Sequence, residues 1–416
     1  MNTNTNTKAF FELVRAGLWG EADANFNLNA NDNFFEGVEW EKIYQLAQEQ
    51  SVLGLVLQGI EWFKNLNLNV LETSGTSERA RADLDLNIPK VLLLQWIGEV
   101  QMIVQRNKAM NDFIADLVEI MRAADIYALL VKGQGIAQCY EKPLWRTCGD
   151  IDLFLSEDNY QKAKSLLKPL ASSVEEEYVR EKHLGLTILE TSGTSDKGRA
   201  DGWVVELHGH LYSGLSSRVE RELDKLQEDT FYGGQVRSWT NGQTQIFLLK
   251  AENDAFYVFT HILQHFCKGG VGLRQICDWC RLMWTFKDSL NYGLLEQRIK
   301  RAGLMSEWKA FGALAIEYLG FPKGSMPLLD VRRKKEDVRW RKKADRIMEF
   351  ILKSGNMGHN RDMSHFCKYP YLIRKCVSMG RRISDLINHA RIFPLDSLRF
   401  FPYIMFNGVR SAIRGE

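Results

Sequence analysis

Charge of one sign is nearly absent in excess from this 416-residue sequence: 54 Lys and Arg stand against 52 Asp and Glu, a formal net charge of +2. A chain this balanced has no bulk field to gather nucleic acid or an anionic membrane, so composition makes no case for either partner. Long apolar runs are missing as well. No uninterrupted stretch reaches the roughly 18–20 residues that span a bilayer, so no transmembrane helix is expected. Cysteine is sparse: there are seven, an odd count without framework spacing, and reduced thiols are the expectation. The first residues, Met1 to Thr7, are polar and lack the apolar stretch of a leader, so the expected location is cytoplasmic. What is present is ordinary for a folded chain. Hydrophobic residues make up 45% and charged residues 25%, which excludes a disordered chain and supports a substantial core. At roughly 100–200 residues per domain, two or three units are expected.

Periodicity divides the chain into a helical part, an α/β part and a second helical part. Phe10 to Trp19 and Trp40 to Phe63 carry apolar residues at 3–4 spacing, among them Ile43, Leu46, Ala47, Val52, Leu55, Val56 and Ile60. Val91 to Ala124 is a further amphipathic stretch, expected as two helices. The period then changes. Tyr127 to Val131 is a short apolar run that fits a buried strand, and it ends at Lys132-Gly133-Gln134-Gly135. Ile151 to Leu155 is a second expected strand, followed by a helix from Asp158 to Leu170. Leu184 to Leu189 and Trp203 to Leu207 alternate as strands do. From Ile246 onward the pattern reads as helix. The divisions expected are a helical region over 1–99, an α/β core over 100–250 and a helical domain over 251–416. One segment recurs: Leu71 to Ser77 reappears as Leu189 to Ser195, each copy leading to Arg-Ala-Asp. Two distant copies do not make a solenoid. Being small and polar, they read as mobile surface loops without a role in chemistry.

Chemistry concentrates at Gly149-Asp150-Ile151-Asp152-Leu153. Side chains alternate along a strand, so Asp150 and Asp152 point to one face and present their oxygens together. Two like charges that close are costly unless a cation lies between them. Hard oxygen donors suit Mg²⁺, and also Mn²⁺, with substrate phosphates completing the shell. Upstream, the Lys132-Gly133 turn leads from strand to helix and aims backbone N–H groups at an anion. Downstream, Glu206 is the one acid in the apolar run Val204 to Leu207. A neighbouring strand would place it beside the Asp pair, as a third ligand or as a base for an attacking hydroxyl.

This order of strand, glycine-containing turn, helix, Asp-x-Asp strand and later acid-bearing strand resembles the polymerase-beta-like nucleotidyltransferase superfamily. The fuller stretch, from Leu130 and Lys132-Gly133 through Tyr140, Pro143 and Arg146 to Asp150-Ile151-Asp152, is similar to an uncharacterised bacterial nucleotidyltransferase group within it. Trp40 to Val56, the segment with His261 and His265, Leu273-Arg274 with Asp278, and Gly355 to Gly358 also match that group. The resemblance implies an α+β fold, a small mixed β-sheet core with helices between N- and C-terminal helical segments. It implies two-metal transfer of a nucleoside monophosphate from NTP to an acceptor, with release of pyrophosphate. Asp150, Asp152 and Glu206 would be catalytic and hold the metals, with Lys132, Gly133, Gln134 and Arg146 at the nucleotide. Gln134 departs from the Ser or Gly usual there. The acceptor is left open as a small molecule, a sugar or a protein. Two other functions stay open: a nucleotide-binding regulatory module without turnover, and a toxin–antitoxin type enzyme that modifies a protein.

Other features have plainer readings. Arg146 either clamps a phosphate or forms a structural ion pair. Tyr140 is expected to pack. His261 and His265 share a helix face and are expected to face the cleft or bond within the helical domain. Cys277-x-x-Cys280 is expected to be buried rather than to bind zinc. Arg274 and Asp278 are expected as an i,i+4 ion pair. The basic run Arg332 to Lys335 and Arg339 to Lys343 is diluted by acids and is expected to be a solvated helix face rather than a nucleic-acid surface. The tail from Arg391 to Tyr403 is expected to pack on the helical domain.

Overall fold

The computed structural model describes residues 5–20, 35–73, 86–175, 182–189, 202–322, 324–329, 334–356 and 371–414. Among the described residues, four helices come first: α1 (Thr5–Trp19), α2 (Trp40–Glu49), α3 (Leu53–Thr73) and α4 (Lys90–Ala123). The middle of the chain alternates β1 (Ala128–Val131), α5 (Gly133–Ala137), β2 (Ile151–Leu155), α6 (Glu157–Leu167), β3 (Ala171–Val174), β4 (His183–Ile188), β5 (Trp203–His208), α7 (Ser217–Gly233), β6 (Val236–Asn241) and β7 (Thr244–Leu249). Helices close the chain: α8 (Ala251–Lys268), α9 (Leu273–Thr285), α10 (Tyr292–Ala302), α11 (Met305–Leu319), α12 (Lys334–Ser354), α13 (Tyr371–Ile392) and α14 (Pro394–Arg414).

The seven strands form one mixed sheet in the order β3-β4-β5-β2-β1-β7-β6. β2 runs parallel to β5, and β1 parallel to β7; the other neighbours are antiparallel. Alternation gives the sheet two faces. Ile151, Leu153 and Leu155 of β2 join Val205 and Leu207 of β5 and Leu184 and Leu186 of β4 in one apolar cluster. Met110, Ile114, Leu117 and Val118 of α4 and Tyr160, Ala163 and Leu167 of α6 cover that side. By the same alternation Asp152, Phe154, Glu206 and His208 point to the opposite face. There Leu129, Val131 and Phe154 belong to a second cluster, shared with the helices from both ends of the chain.

The two helical ends are built into each other. The Trp19 indole donates to the Leu319 carbonyl at 2.5 Å, and the Arg15 guanidinium donates to the Glu317 and Tyr318 carbonyls at the end of α11. A cation there satisfies the orphan carbonyls of a helix C-terminus and complements its dipole. α1 crosses α3 through two glycines, and a Cβ on Gly59 would lie 2.0 Å from the Leu13 carbonyl oxygen. The fully buried Gln50 accepts from the Leu273 amide at 2.9 Å and donates to the Ile351 carbonyl at 3.3 Å, joining α2 to α9 and α12.

The structure departs from the sequence reading at several elements, among them α7, a helix that the sequence reading did not assign. Residues 236–249 form a strand hairpin, and helix begins only at Ala251 rather than Ile246. The run Ile246 to Leu249 is short and uniformly apolar, a pattern that periodicity alone does not separate from helix, and the Asn241-Gly242 turn signal lay just before it. Lys90–Ala123 is one helix of 34 residues, not two; Gly98 inside it faces open space and breaks nothing. The expected helix from Trp40 to Phe63 is interrupted at Ser51, whose φ of 56° ends the first turn run. β3 is an exposed, polar edge strand that no alternation announces. Most of both Leu-Glu-Thr-Ser-Gly-Thr-Ser copies, the residues Arg332 and Arg333, and Met357 and Gly358 lie outside the described residues.

Candidate active site

A cavity of about 570 Å³ opens over the face of the sheet that carries the acids. Its floor holds Asp150, Asp152, Glu206 and His208, its edge Lys132 and Gly133, and its roof His261 and His265 of α8. Register explains the floor. Asp152 pairs with Glu206 across the parallel β2–β5 ladder, and His208 pairs with His183 across β4–β5. Asp150 lies one residue before β2 on the same parity.

Each acid has a different environment. Asp152 is 2% exposed and accepts from the Lys132 ammonium at 2.8 Å and from the His208 Nε2 at 2.9 Å. Burial would raise its carboxyl, but Lys132 and His208 together hold it below its ordinary value. Glu206 Oε2 lies 3.2 Å from His183 Nε2 and 3.4 Å from His208 Nε2. Burial again opposes ionisation, and the two imidazoles overcome it, so Glu206 stays far below the usual carboxylate range. Asp150 is shifted the other way. The Asp152 charge, then burial, then Glu206 push it up, with Lys132 opposing. His208 is raised: burial lowers it, and its bonds to Asp152 and Glu206 more than reverse that.

Lys132 reaches the floor from a strained position, with φ 56° and ψ −145° just past the end of β1. Such a conformation costs a non-glycine residue on the order of 1–3 kcal/mol. Its ammonium sits 5.7 Å from the centre of the Tyr257 ring on α8. Gly133 follows at φ +38°, close against Cys148, where a Cβ would sit 3.2 Å from the sulfur. Gln134 turns away from the cavity. It is 1% exposed, and its amide donates to Asn107 Oδ1 of α4 at 2.9 Å.

The wall opposite the sheet is an ion pair. Arg146 donates to both oxygens of Asp278, at 2.8 and 2.7 Å, and the Tyr140 hydroxyl donates to Oδ1 at 2.8 Å. Asp278 is thus the partner of Arg146 and not, as expected, of its helix neighbour Arg274. The reason is reach: Arg146 arrives from the loop after α5 and offers the side of its guanidinium, Nε and one terminal nitrogen, as a two-bond fork. Arg274 instead donates to the Thr147 carbonyl at 2.7 Å and lines the cavity. Burial and the nearby Arg146 charge lower its pKa. Tyr140 is buried, as a packing residue would be, with its hydroxyl satisfied. His261 and His265 do share a face, and their Nε2 atoms lie 3.0 Å apart. Burial and then the Lys132 charge push both down, His265 to about 4, so at neutral pH one neutral ring donates to the other.

Sequence reasoning passed over His183 and His208, and the α4 residues Arg106 and Asn107. His208 was readable as Glu206-x-His208, one strand period past the acid. His183 needed the β4–β5 register, which no local pattern carries. Asn107 donates to the Leu144 and Arg146 carbonyls at 2.8 Å each, and Arg106 to those of Cys148 and Gly149. Together they hold the loop that delivers Asp150. Cys267, Cys277 and Cys280 are buried in the apolar core. Arg339, Trp340 and Lys343 line a separate cavity of about 270 Å³ with Lys309 and Arg399. In the tail, Phe393 and Phe400 are buried in the core.

The sequence from residue 36 to residue 320, more than half of the chain, matches the model of a family described as uncharacterised nucleotidyltransferases. The chain belongs to that family. The match takes in the whole sheet, every acid of the cavity floor and the Arg146–Asp278 wall of this nucleotidyltransferase family member. No curated protein and no solved structure matches the chain. No helix among the described residues is long and apolar enough to cross a membrane.

Proposed function

We propose that the protein transfers a nucleoside monophosphate from an NTP to an acceptor in a divalent-metal-dependent reaction, releasing pyrophosphate. One observation carries this reading: Asp150, Asp152 and Glu206 converge on one face of the sheet inside a cavity edged by the Lys132-Gly133 turn. The donor chemistry fits Mg²⁺ or Mn²⁺. Asp150 and Asp152 offer hard oxygens side by side, and the raised Asp150 carboxyl reports a repulsion that a cation relieves. A divalent ion held by these carboxylates would supply charge neutralisation for the triphosphate.

The chain's own groups divide the remaining work. Lys132 and Arg274 bring positive charge to the cavity for phosphate oxygens, while Gly133 leaves room for them at the turn. Gln134 would contact nucleotide only through its backbone, since its side chain is bound to Asn107. Arg146 would contact nucleotide while remaining paired with Asp278, and so shapes the wall. Glu206, held strongly ionised, suits a ligand better than a base, because a carboxylate so acidic is a weak proton acceptor at neutral pH. The acceptor is a small molecule, a sugar or a protein. Residues 1–99, 100–250 and 251–416 are proposed as helical region, catalytic core and helical domain. Gln134, which leaves the turn without a hydroxyl, favours a second reading, a nucleotide-binding module without turnover.

Incubation with each NTP, Mg²⁺ or Mn²⁺ and candidate acceptors tests the proposal through pyrophosphate release. Asp150→Asn and Asp152→Ala are expected to lose at least about a hundredfold in rate. Equal background release from wild type and both variants would sink the enzyme reading. Metal-independent nucleotide binding by calorimetry would then favour the binding module.

A further inference from the structure

The cavity floor contains two sets of donors of different chemistry. Asp150 and Asp152 offer oxygen alone. Beside them, His183, Glu206 and His208 each bring one donor atom, and the three atoms lie within 4.8 Å of one another. We propose that His183, His208 and Glu206 form a site for a borderline-soft transition ion of the zinc or cobalt class, separate in its selectivity from the magnesium-type carboxylate pair.

Geometry supports it first. An ion with ligands at about 2.1 Å places neighbouring donors roughly 3.0–3.5 Å apart in octahedral or tetrahedral arrangements. The two imidazole-to-carboxylate separations are 3.2 and 3.4 Å, within that range, and all three donors lie within 4.8 Å of one another, so closing on an ion would draw the imidazoles inward and take His208 Nε2 from its bond to Asp152. The platform is also rigid. His183 and His208 face each other across one register pair of β4 and β5, and Glu206 is one strand period from His208. Sites on strands hold ligands better than sites on loops. Donor type then gives the selectivity. Imidazole suits zinc, cobalt, nickel or iron, whereas magnesium prefers carboxylate, water and phosphate. Two histidines with one carboxylate also leave positions open, and all three residues line the cavity, so those positions face water or a substrate oxygen. The site shares Glu206 with the reading above, yet it stands whether or not nucleotide is transferred.

The test uses the full chain, stripped of metal with a chelator and titrated with Co²⁺, whose visible bands report coordination. One equivalent is expected to bind, to be displaced by Zn²⁺ and to resist about a hundredfold excess of Mg²⁺. His183→Asn should weaken Co²⁺ at least about tenfold, while Asp150→Asn changes it little. In the wild-type protein, one equivalent of Co²⁺ should also perturb the ring-proton NMR signals of His183 and His208, which needs no variant to fold. Displacement by equimolar Mg²⁺, an unchanged affinity in His183→Asn, or unperturbed His183 and His208 signals would each overturn the proposal. Mg²⁺-dependent NTP binding is measured on the same samples: if it persists without a Co²⁺ site, this inference alone fails, and if it is absent beside an intact Co²⁺ site, the transferase reading alone fails.

Discussion

Replacing Asp278 by Asn should cost this protein a large part of its stability. The carboxylate takes two bonds from the Arg146 guanidinium and one from the Tyr140 hydroxyl, and both charged side chains are almost fully buried, 6% and 5% exposed. Asn keeps the shape but removes the charge and one acceptor. The guanidinium would then be left desolvated and unneutralised, with the Arg274 charge beside it. Breaking one partner of a buried pair costs about 3–5 kcal/mol, against a total stability of about 5–15 kcal/mol for a folded protein. Removing both partners is different. Arg146→Met with Asp278→Leu leaves apolar groups of similar volume; the Tyr140 hydroxyl loses its partner, about 1–2 kcal/mol, while the Thr147 carbonyl loses the Arg146 bond but keeps the one from Arg274. Urea unfolding followed by circular dichroism gives the full cycle. The double variant should be more stable than either single, with a coupling of about 3 kcal/mol or more. A loss under about 1 kcal/mol in Asp278→Asn, or additive effects, would refute the argument. That outcome would return Arg146 to the role of a free phosphate clamp.

Two further predictions concern the helical core. Glu307 is fully buried on α11, and neither carboxylate oxygen has a hydrogen-bond partner; burial, with Asp396 adding, pushes it up to about 8. Its folded value lies above the unfolded 4.5, so its penalty is absent below about pH 4.5 and grows as pH rises toward 8. Glu307→Gln should therefore stabilise by roughly 1–3 kcal/mol near pH 7.5 and by nothing near pH 4.5; equal effects in urea unfolding at both pH values would refute this. Gly59→Ala puts a methyl 2.0 Å from the Leu13 carbonyl oxygen, forcing α1 off α3 at a cost of about 1–3 kcal/mol or more; an unchanged thermal midpoint would contradict it.

How far the sequence carried this reading depended on the range of each interaction. β2 and β5 were legible because Ile151 to Leu155 and Val204 to Leu207 are short apolar runs, each carrying a single acid. Asp150, Asp152 and Glu206 could be placed on one face because that needs only period two and neighbouring strands. The Arg146–Asp278 pair was not legible: its partners are 132 residues apart, and the tempting local partner was Arg274. Likewise Lys132 could be assigned to a turn, but its positive φ and its bond to Asp152 arise from the packing of β1 beside β2. The hairpin over 236–249 was lost because Ile246 to Leu249, the apolar end of β7, carries no period that separates strand from helix.

The cavity's walls come from distant parts of the chain. Ser51 follows α2, the floor lies between 132 and 208, the roof is α8, and Asn356 follows α12, where it bonds Ser51 at 2.8 Å. A ligand seated there would act as a clasp on the whole polypeptide rather than on the sheet. Its binding energy would enter the global unfolding equilibrium, about 2.7 kcal/mol at a hundredfold excess over Kd. Melting of the intact chain therefore becomes a way to search for the substrate, and an excised sheet would be blind to it.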